Sequence, residues 1–465
     1  MFDCQVYELS IALEKTMEKL RYERPTVVRH VTGLSNKFGR AAAQRIKKEI
    51  DGVFINDMLK KYGSPVFVFS EKTIRRTYRN AFRAFTARYP KVQFAWSYKT
   101  NYLDAICRIF HQEGSWAEVV SEYEYEMARR NGVPGEQIIY NGPYKPEGAL
   151  RTAIQEGAHI HVDHYDELYL IEKIARDLGR PVEVAIRINM DTGIYPSWDR
   201  FGFNLDNGEA LNVVRRMHAG GKVRLQGVHS HIGTFILEPY AYKNETVKLA
   251  TFVKAVEQEF GFDIDYIDVG GGFPSQNTLH SQYAPGKETN PPLVQYAEAI
   301  TSALLEQGFA PDRLPRLILE TGRALIDEAG YLLTSVVGVK RLPNGVRTLI
   351  IDAGVNVLFT AFWYKHNVML AEENDSMAEE TIIYGPLCMN IDVVRPSINL
   401  PVLDAGDVLV IHPVGAYNVT QWMQFIRMRP AVVLVGEDGS TELIRSAESI
   451  DAIKQLERVP ERLKA

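Results

Sequence analysis

Four short stretches carry residue types that do chemistry. The run "VQFAWSYKTN" holds Phe94, Ala95 and Trp96 in what reads as a buried strand, then delivers Lys99 at its tip. Lysine is among the residues least often buried without a partner. "HSHIG" contains His229 and His231, "DVGGGFP" contains Gly270, Gly271 and Gly272, and "LETGR" contains Glu320, Gly322 and Arg323. Each has an ordinary reading. The glycines are either a tight turn or a cradle whose backbone N–H groups approach a phosphate. His231 is either a satisfied core histidine or a ligand contact, and "LETGR" either ends in a solvated ion pair or serves a site. His229 and His231 are two apart and so point to opposite faces of a strand. With no HExxH or CxxC in the chain, no metal is expected.

The elements that must position these residues repeat one pattern: a short β-rich run, a turn, and a segment of helical spacing. The runs are 94–98, 117–120, 137–140, 159–162, 182–188, 226–230, 266–269 and 317–320. Eight such units over roughly 230 residues predict a (β/α)8 barrel, whose usual span is about 250 residues. An open doubly wound sheet is less suited, because no strand opens onto a GxGxxG turn. After Arg323 the rhythm changes to β-branched runs such as "YLLTSVVGVKR" and "DVLVIHPVG", which predict an all-β barrel or sandwich. The expected division is an N-terminal, partly helical appendage over 1–55, a barrel over 56–330, and a β domain over 331–465 with a short terminal helix. "SPVFVFS" is a candidate to complete the β domain.

Composition narrows the function classes. The chain has 465 residues, 46% of them hydrophobic, and a net charge of -5 with scattered basic residues, so neither nucleic acid nor a membrane surface is an expected partner. No window of 18 uninterrupted apolar residues predicts a membrane span. The N-terminus lacks an apolar h-region, and Cys4, Cys107 and Cys388 are too few for a disulfide framework, so a cytoplasmic setting is the expectation.

Barrel chemistry collects at the C-terminal ends of the strands. There the sequence places Lys99, Glu118, Asn141, Asp163, Arg187, His229, His231, the three glycines, Glu320 and Arg323. An amine, a phosphate cradle and a strand-borne carboxylate suggest pyridoxal 5'-phosphate. The amine can form a Schiff base with its aldehyde, and a carboxylate at the pyridine nitrogen keeps the ring protonated and electron-withdrawing.

Over residues 50–450 the chain resembles the fold-type III pyridoxal-phosphate decarboxylases, the group of diaminopimelate and ornithine decarboxylases. "FAWSYKTN" resembles the strand bearing the Schiff-base lysine, "HSHIGT" the histidine motif, and "VGGGFP" the phosphate loop. "ETGR" stands where the family has Glu-Pro-Gly-Arg, "YGPLCMNID" resembles its Gly-Pro-x-Cys segment, and "PVGAYNVT" its Gly-Ala-Tyr motif. The resemblance implies that Lys99 carries the cofactor, His231 stacks on its ring, and Thr234 and Gly270–Gly272 lie at its phosphate. It implies further that Glu320 pairs with the ring nitrogen, that Gly322 and Arg323 lie nearby, and that Tyr417 reaches the cofactor. Cys388, on its own an inert buried thiol, would cross the interface of a head-to-tail homodimer and handle a proton after carbon dioxide leaves.

The departures lie at the far end of the substrate. Where the family carries a glutamate or aspartate after the cysteine, this chain has Met389. A methionine there would leave a distal ammonium unpaired, at a cost on the order of a few kcal/mol, unless Asp392 or Glu118 compensates. Arg200, in "DTGIYPSWDRFGFN", either reads a substrate carboxylate or lies on the surface. These departures favour an amino-acid conjugate, of the citryl-diaminopropionate type handled by siderophore-pathway members, over plain diaminopimelate or another diamino acid. Two readings compete with a decarboxylase. A racemase of similar plan would carry arginine instead of Glu320, and a non-catalytic regulatory homologue would have lost Lys99, Glu320 or Cys388.

Overall fold

The computed structural model describes residues 45–464. Its first long strand, β1 (Val66–Ser70), is buried along its whole length. Ser70 ends it and caps the helix Glu71–Thr86, its hydroxyl accepting the Thr73 N–H at 3.0 Å. Eight parallel strands follow: β2 (Val92–Ser97), β3 (Trp116–Val119), β4 (Ile138–Tyr140), β5 (His159–Val162), β6 (Val182–Asn189), β7 (Val223–Ser230), β8 (Tyr266–Asp268) and β9 (Arg316–Thr321). Each pairs with the next, and β9 returns to β2 through Leu317–Val92 to Thr321–Trp96. This is the expected (β/α)8 barrel. The expected strands are all present, with one local difference: β2 stops at Ser97, and Lys99 rides on a single 3-10 turn, Tyr98–Thr100.

The barrel interior explains where chemistry can sit. Ala95, Ile139, Ala185, Tyr266 and Ile318 form one apolar layer with Trp116 packed on it. Gly227 belongs to the same level, since a Cβ there would lie 2.4 Å from the Tyr266 ring. Two residues further along a strand the side chain returns to the same face. At that next level the eight strands present Ser97, Glu118, Asn141, His161, Arg187, His229, Asp268 and Glu320. An apolar floor under a polar layer at the C-terminal ends is the arrangement of a barrel active site.

The β domain contains β10 (Gly330–Arg341), β11 (Arg347–Ile351), β12 (Asn367–Leu370), β13 (Glu379–Tyr384), β14 (Val393–Leu400), β15 (Val408–His412), β16 (Ala431–Val435) and β17 (Thr441–Arg445). Its sheet runs β14-β13-β11-β10-β1-β16-β17, and β15 pairs with both β10 and β12. The strand of "SPVFVFS" thus lies in the β sheet, between β10 and β16, so the sheets do not divide the chain at residue 330 alone. Both of its faces are covered, which is why it reads as an unbroken apolar run. Phe67 and Phe69 join the main core, whereas Val66 and Val68 pack with Ile55 and Met58 of the helix Ile55–Tyr62.

Of the appendage expected over 1–55, the structure describes residues from 45 onward. Glu49–Ile50 pairs with Val53–Phe54 in a small hairpin. Its turn places Asp51 and Gly52 at positive φ. The rest of the N-terminal appendage lies outside the described residues. The terminal helix is Ile450–Lys454. Among the described residues, no helix is long and apolar enough to cross a membrane.

Candidate active site

Lys99 reaches from its turn into the polar layer. Its Nζ donates to Glu118 Oε2 at 2.5 Å, and the Ser97 hydroxyl donates to the same oxygen. Burial alone would push the lysine pKa down, but the Glu118 and Glu320 carboxylates more than reverse this and raise it. The amine still keeps access to the mouth, with its side chain 36% exposed against 0% for Glu118. The turn is clasped from the β domain. Tyr417 N–H donates to Thr100 O at 2.8 Å, and Asn101 Nδ2 to Gly415 O at 3.3 Å. Tyr417 holds a left-handed φ of 64°, a conformation that costs a non-glycine residue about 1 kcal/mol or more.

Glu320 enters from β9. Asn141 Nδ2 donates to its Oε1, and His229 Nε2 lies 3.2 Å from the same oxygen. His229 is fully buried, and burial holds its pKa well below the usual histidine range. Its ring stacks on His161 at 4.6 Å between centroids and 30° between planes. Donor atoms of His161, His229 and Glu320 fall within 4.8 Å of one another. However, ring nitrogens carry their lone pairs in the ring plane, so stacked imidazoles do not converge on a tetrahedral ion.

His231 stands past the end of β7 and faces the mouth. Its Nδ1 lies 3.0 Å from Gly271 N and accepts that N–H, so the neutral ring keeps its proton on Nε2. Burial pushes its pKa down to about 3. Trp198, from the segment between β6 and β7, meets its ring edge-on at 5.4 Å.

The glycine loop is pressed against its neighbours. A Cβ on Gly271 would lie 2.3 Å from the Glu320 carbonyl oxygen, and one on Gly272 would lie 2.2 Å from Gly233 O. Beside the loop, Arg323 Nη2 donates to Thr234 Oγ1 at 3.2 Å, and Nη1 donates to the Tyr364 hydroxyl. Four aromatic rings surround the guanidinium, Tyr417 nearest at 4.6 Å and Trp363 farthest at 5.7 Å. Arg323 is 7% exposed. Among the described residues no carboxylate is ion-paired with it, and Asp327, which feels its charge, spends its oxygens on Ser275, Asn277 and the Ala416 N–H. A buried cation without a counter-ion is costly unless an anion meets it. The Gly271–Gly272 turn, Thr234 and Arg323 therefore fit a phosphate, while Lys99 and Glu320 fit an aldehyde and a protonated ring nitrogen. Lys99, His231, Thr234, Gly271, Gly272, Glu320, Gly322, Arg323 and Tyr417 all line this one cavity, and Gly270 adjoins it.

The expected substrate contacts fare differently. Glu118 is fully buried beneath Lys99, where its acceptors are taken by Lys99, Ser97 and Asn141. Asp392 is buried as well. It is 2% exposed, and its two oxygens accept Val355 N–H and Leu387 N–H at 2.8 Å each, clamping the segment that carries Cys388. Cβ atoms on Gly354 or Gly385 would collide with that carboxylate, at 2.7 and 2.3 Å. Cys388 is exposed, not the buried thiol that a lone cysteine suggests, and lies outside the residues lining the Lys99 cavity. Met389 is half-buried against the core. Arg200 is exposed, its guanidinium 5.1 Å from the Phe201 ring centre. Ser97 and Asn141 are the contributors that motif reading passed over, although Asn141 stands at a strand end.

A parallel barrel that brings a lysine amine, a buried carboxylate and an anion cradle to its mouth defines an enzyme with a lysine-anchored, phosphate-bearing cofactor. The chain belongs to the pyridoxal-dependent decarboxylases: the family model for their pyridoxal-binding domain matches residues 73–327. Diaminopimelate decarboxylase of Methanocaldococcus jannaschii is 31% identical over 432 residues, covering 89% of this chain and 95% of the relative. The Aquifex aeolicus diaminopimelate decarboxylase is 29% identical, covering 87% and 94%. A crystal structure of the M. jannaschii enzyme superposes with a TM-score of 0.82 at 30% identity, covering 90% of this chain and 99% of that one. The chain is thus a pyridoxal-phosphate-dependent carboxy-lyase acting on an amino acid.

Proposed function

We propose that the substrate is an amino-acid conjugate whose far end is not a free ammonium held by a carboxylate. The observation that carries this reading is the position of the two acids that could replace the one absent at Met389. Glu118 lies under Lys99, and Asp392 is spent on backbone N–H groups. A distal ammonium would therefore be desolvated without a counter-charge from this loop, which costs on the order of a few kcal/mol. A citryl-diaminopropionate-type conjugate, bearing carboxylates instead of an ammonium, suits such a pocket. The second reading is diaminopimelate itself. It is favoured by the relatives, which are named diaminopimelate decarboxylases, and by the M. jannaschii enzyme, whose structure is also known with L-lysine.

Bound in the cavity, pyridoxal phosphate supplies an aldehyde for the amine and a ring that accepts electrons as the carboxylate departs. The chain's residues do the rest. Lys99 holds the group, and Glu118 maintains a charge partner for the amine. Glu320 would face the ring nitrogen, and Arg323 with Thr234 would hold the phosphate. His231 would cover the ring face, and burial pushes its pKa down to about 3. Cys388, exposed and outside its own chain's cavity, would serve the other site of a head-to-tail homodimer as proton donor.

Carbon dioxide release should be assayed on meso-diaminopimelate, lysine, ornithine and citryl-diaminopropionate. Preference for the conjugate supports the reading, and faster turnover of meso-diaminopimelate replaces it with the second. Mixing Lys99→Ala chains with Cys388→Ala chains should restore activity absent from either alone, and no recovery would remove the shared-site dimer. A borohydride-reducible chromophore that survives in Lys99→Ala would overturn the role of Lys99.

A further inference from the structure

The polar layer contains one side chain that touches both carboxylates of the site. Asn141 follows β4 directly, and its backbone N–H donates to Val119 O at 2.8 Å. The chain then turns away at Gly142, whose φ is +98° and whose Cβ would lie 2.7 Å from Val120 O. Asn141 is therefore fixed between a ladder bond and a turn that only glycine accommodates. Its side chain is 4% exposed. Nδ2 donates to Glu118 Oε1 at 3.1 Å and to Glu320 Oε1, and Oδ1 has no partner. The amide has one orientation available, because flipping it would turn a carbonyl oxygen toward two carboxylates.

Two buried carboxylates this close to one asparagine repel, and one of them ordinarily takes a proton. An NH2 group has two hydrogens and can stabilise both anions at once. We propose that Asn141 is a positioning residue that holds Glu118 and Glu320 as a pair of anions and thereby fixes the proton on the Lys99 amine. The pair also faces Arg187 from β6, His229 and His231 from β7 and its end, Tyr266 and Asp268 from β8, Glu124 after β3, and Glu245 from the helix Pro239–Phe260. Of these, Arg187 is the cation, and it lies 3.8 Å from Asp163. His229 is neutral and offers no charge of its own. The amide of Asn141 is the contact that joins the two carboxylates.

The inference rests on Lys99 and Glu320 as the cofactor's anchors, and its test does not use turnover. In full-length protein stripped of cofactor, the rate at which Lys99 is acetylated at pH 8 is read by peptide mass spectrometry. Asn141→Ala removes both donors, so Glu118 gives up its charge more readily and Lys99 should label at least threefold faster than in wild type. Asn141→Asp loses the same donors but brings a carboxylate of its own beside the amine, so the negative charge facing Lys99 is not reduced and the variant should not label faster than wild type. A purely structural role would move both variants the same way. An alanine rate within threefold of wild type, or an aspartate rate raised as much as the alanine rate, would overturn the assignment. If Asn141→Ala does not fold, Asn141→Ser, with one donor in place of two, is judged by the same comparison.

Discussion

Replacing Gly271 by alanine adds a methyl group where the structure has no room for one. The new Cβ would stand 2.3 Å from the Glu320 carbonyl oxygen, and contacts below 3.0 Å are essentially unknown for real Cβ atoms. One strand or the other must retreat by at least the 0.7 Å between those values. The obstacle is backbone, so no rotamer change relieves it. Gly271 does not have the positive φ of its neighbours Gly270 and Gly272, so alanine's own backbone preference is not at issue. Glu320 N–H donates to Gly270 O at 2.8 Å, which makes loop and strand move together. Overpacking of this kind costs roughly 1–3 kcal/mol, and a misplacement approaching 1 Å costs about 100-fold in a function that depends on geometry. We expect Gly271→Ala to fold with a lowered Tm and to bind pyridoxal phosphate about 10- to 100-fold more weakly, measured by quenching of intrinsic fluorescence. Gly148→Ala is the control, since it lies in the helix Glu147–Gln155 with nothing within 4 Å of its would-be Cβ. It should retain full affinity and gain up to about 1 kcal/mol of stability. Wild-type affinity in Gly271→Ala would refute the steric reasoning.

Glu320→Gln keeps the shape of the side chain and removes its charge. Turnover should fall on the order of 100-fold while the cofactor remains bound, and undiminished turnover would count against a charge at the ring nitrogen. Asp392→Asn places an NH2 against one of two buried backbone donors, leaving it unsatisfied at about 1–3 kcal/mol. Urea unfolding should record that loss, and amide exchange at Leu387 should accelerate; if neither changes, the clamp is not one. His366 is fully buried 2.8 Å from Thr360 Oγ1, and burial pushes its pKa down to about 3. A base with a depressed folded-state pKa contributes stability above its unfolded value near 6.5 and loses it as pH falls toward 3. The stability advantage of wild type over His366→Gln should therefore shrink from pH 7 to pH 4, and an advantage that grows would invert the assignment.

The barrel was legible in the sequence because each strand repeats a local signal, an apolar run followed by a turn and an amphipathic helix. The lysine end of the site was legible for a related reason. Lys99, Glu320 and the glycines stand on or beside strand ends, where chain order alone decides which side chains meet. Asn141 and Ser97 carry the same signal, each two residues beyond an apolar inward-facing position, Ile139 and Ala95. Motif reading passed over them because asparagine and serine carry no charge or nucleophile of note. The substrate roles expected of Glu118 and Asp392 meet a common physical obstacle. Residue type reveals a charge but not what already neutralises it, and both carboxylates spend their acceptors inside the protein. The hairpin at Glu49–Phe54 was hidden by good helix formers before it, which tertiary pairing overrode.

The two ends of the site therefore rest on different kinds of support. The polar layer is built from strands hydrogen-bonded on both sides, so Glu118, Asn141, His229 and Glu320 are placed by the barrel ladder and barely depend on the substrate. Other segments near the mouth lack such support. Trp198, 38% exposed, lies between β6 and β7, and Cys388 and Met389 lie on a segment anchored through the single carboxylate of Asp392. Substitutions there should leave the holding of the amine undisturbed, since none of the three lines the Lys99 cavity of its own chain. A chain at about 30% identity to diaminopimelate decarboxylases thus shares the ladder that places the amine and the carboxylates, and the proposed change of substrate is to be tested at Met389 and around Trp198.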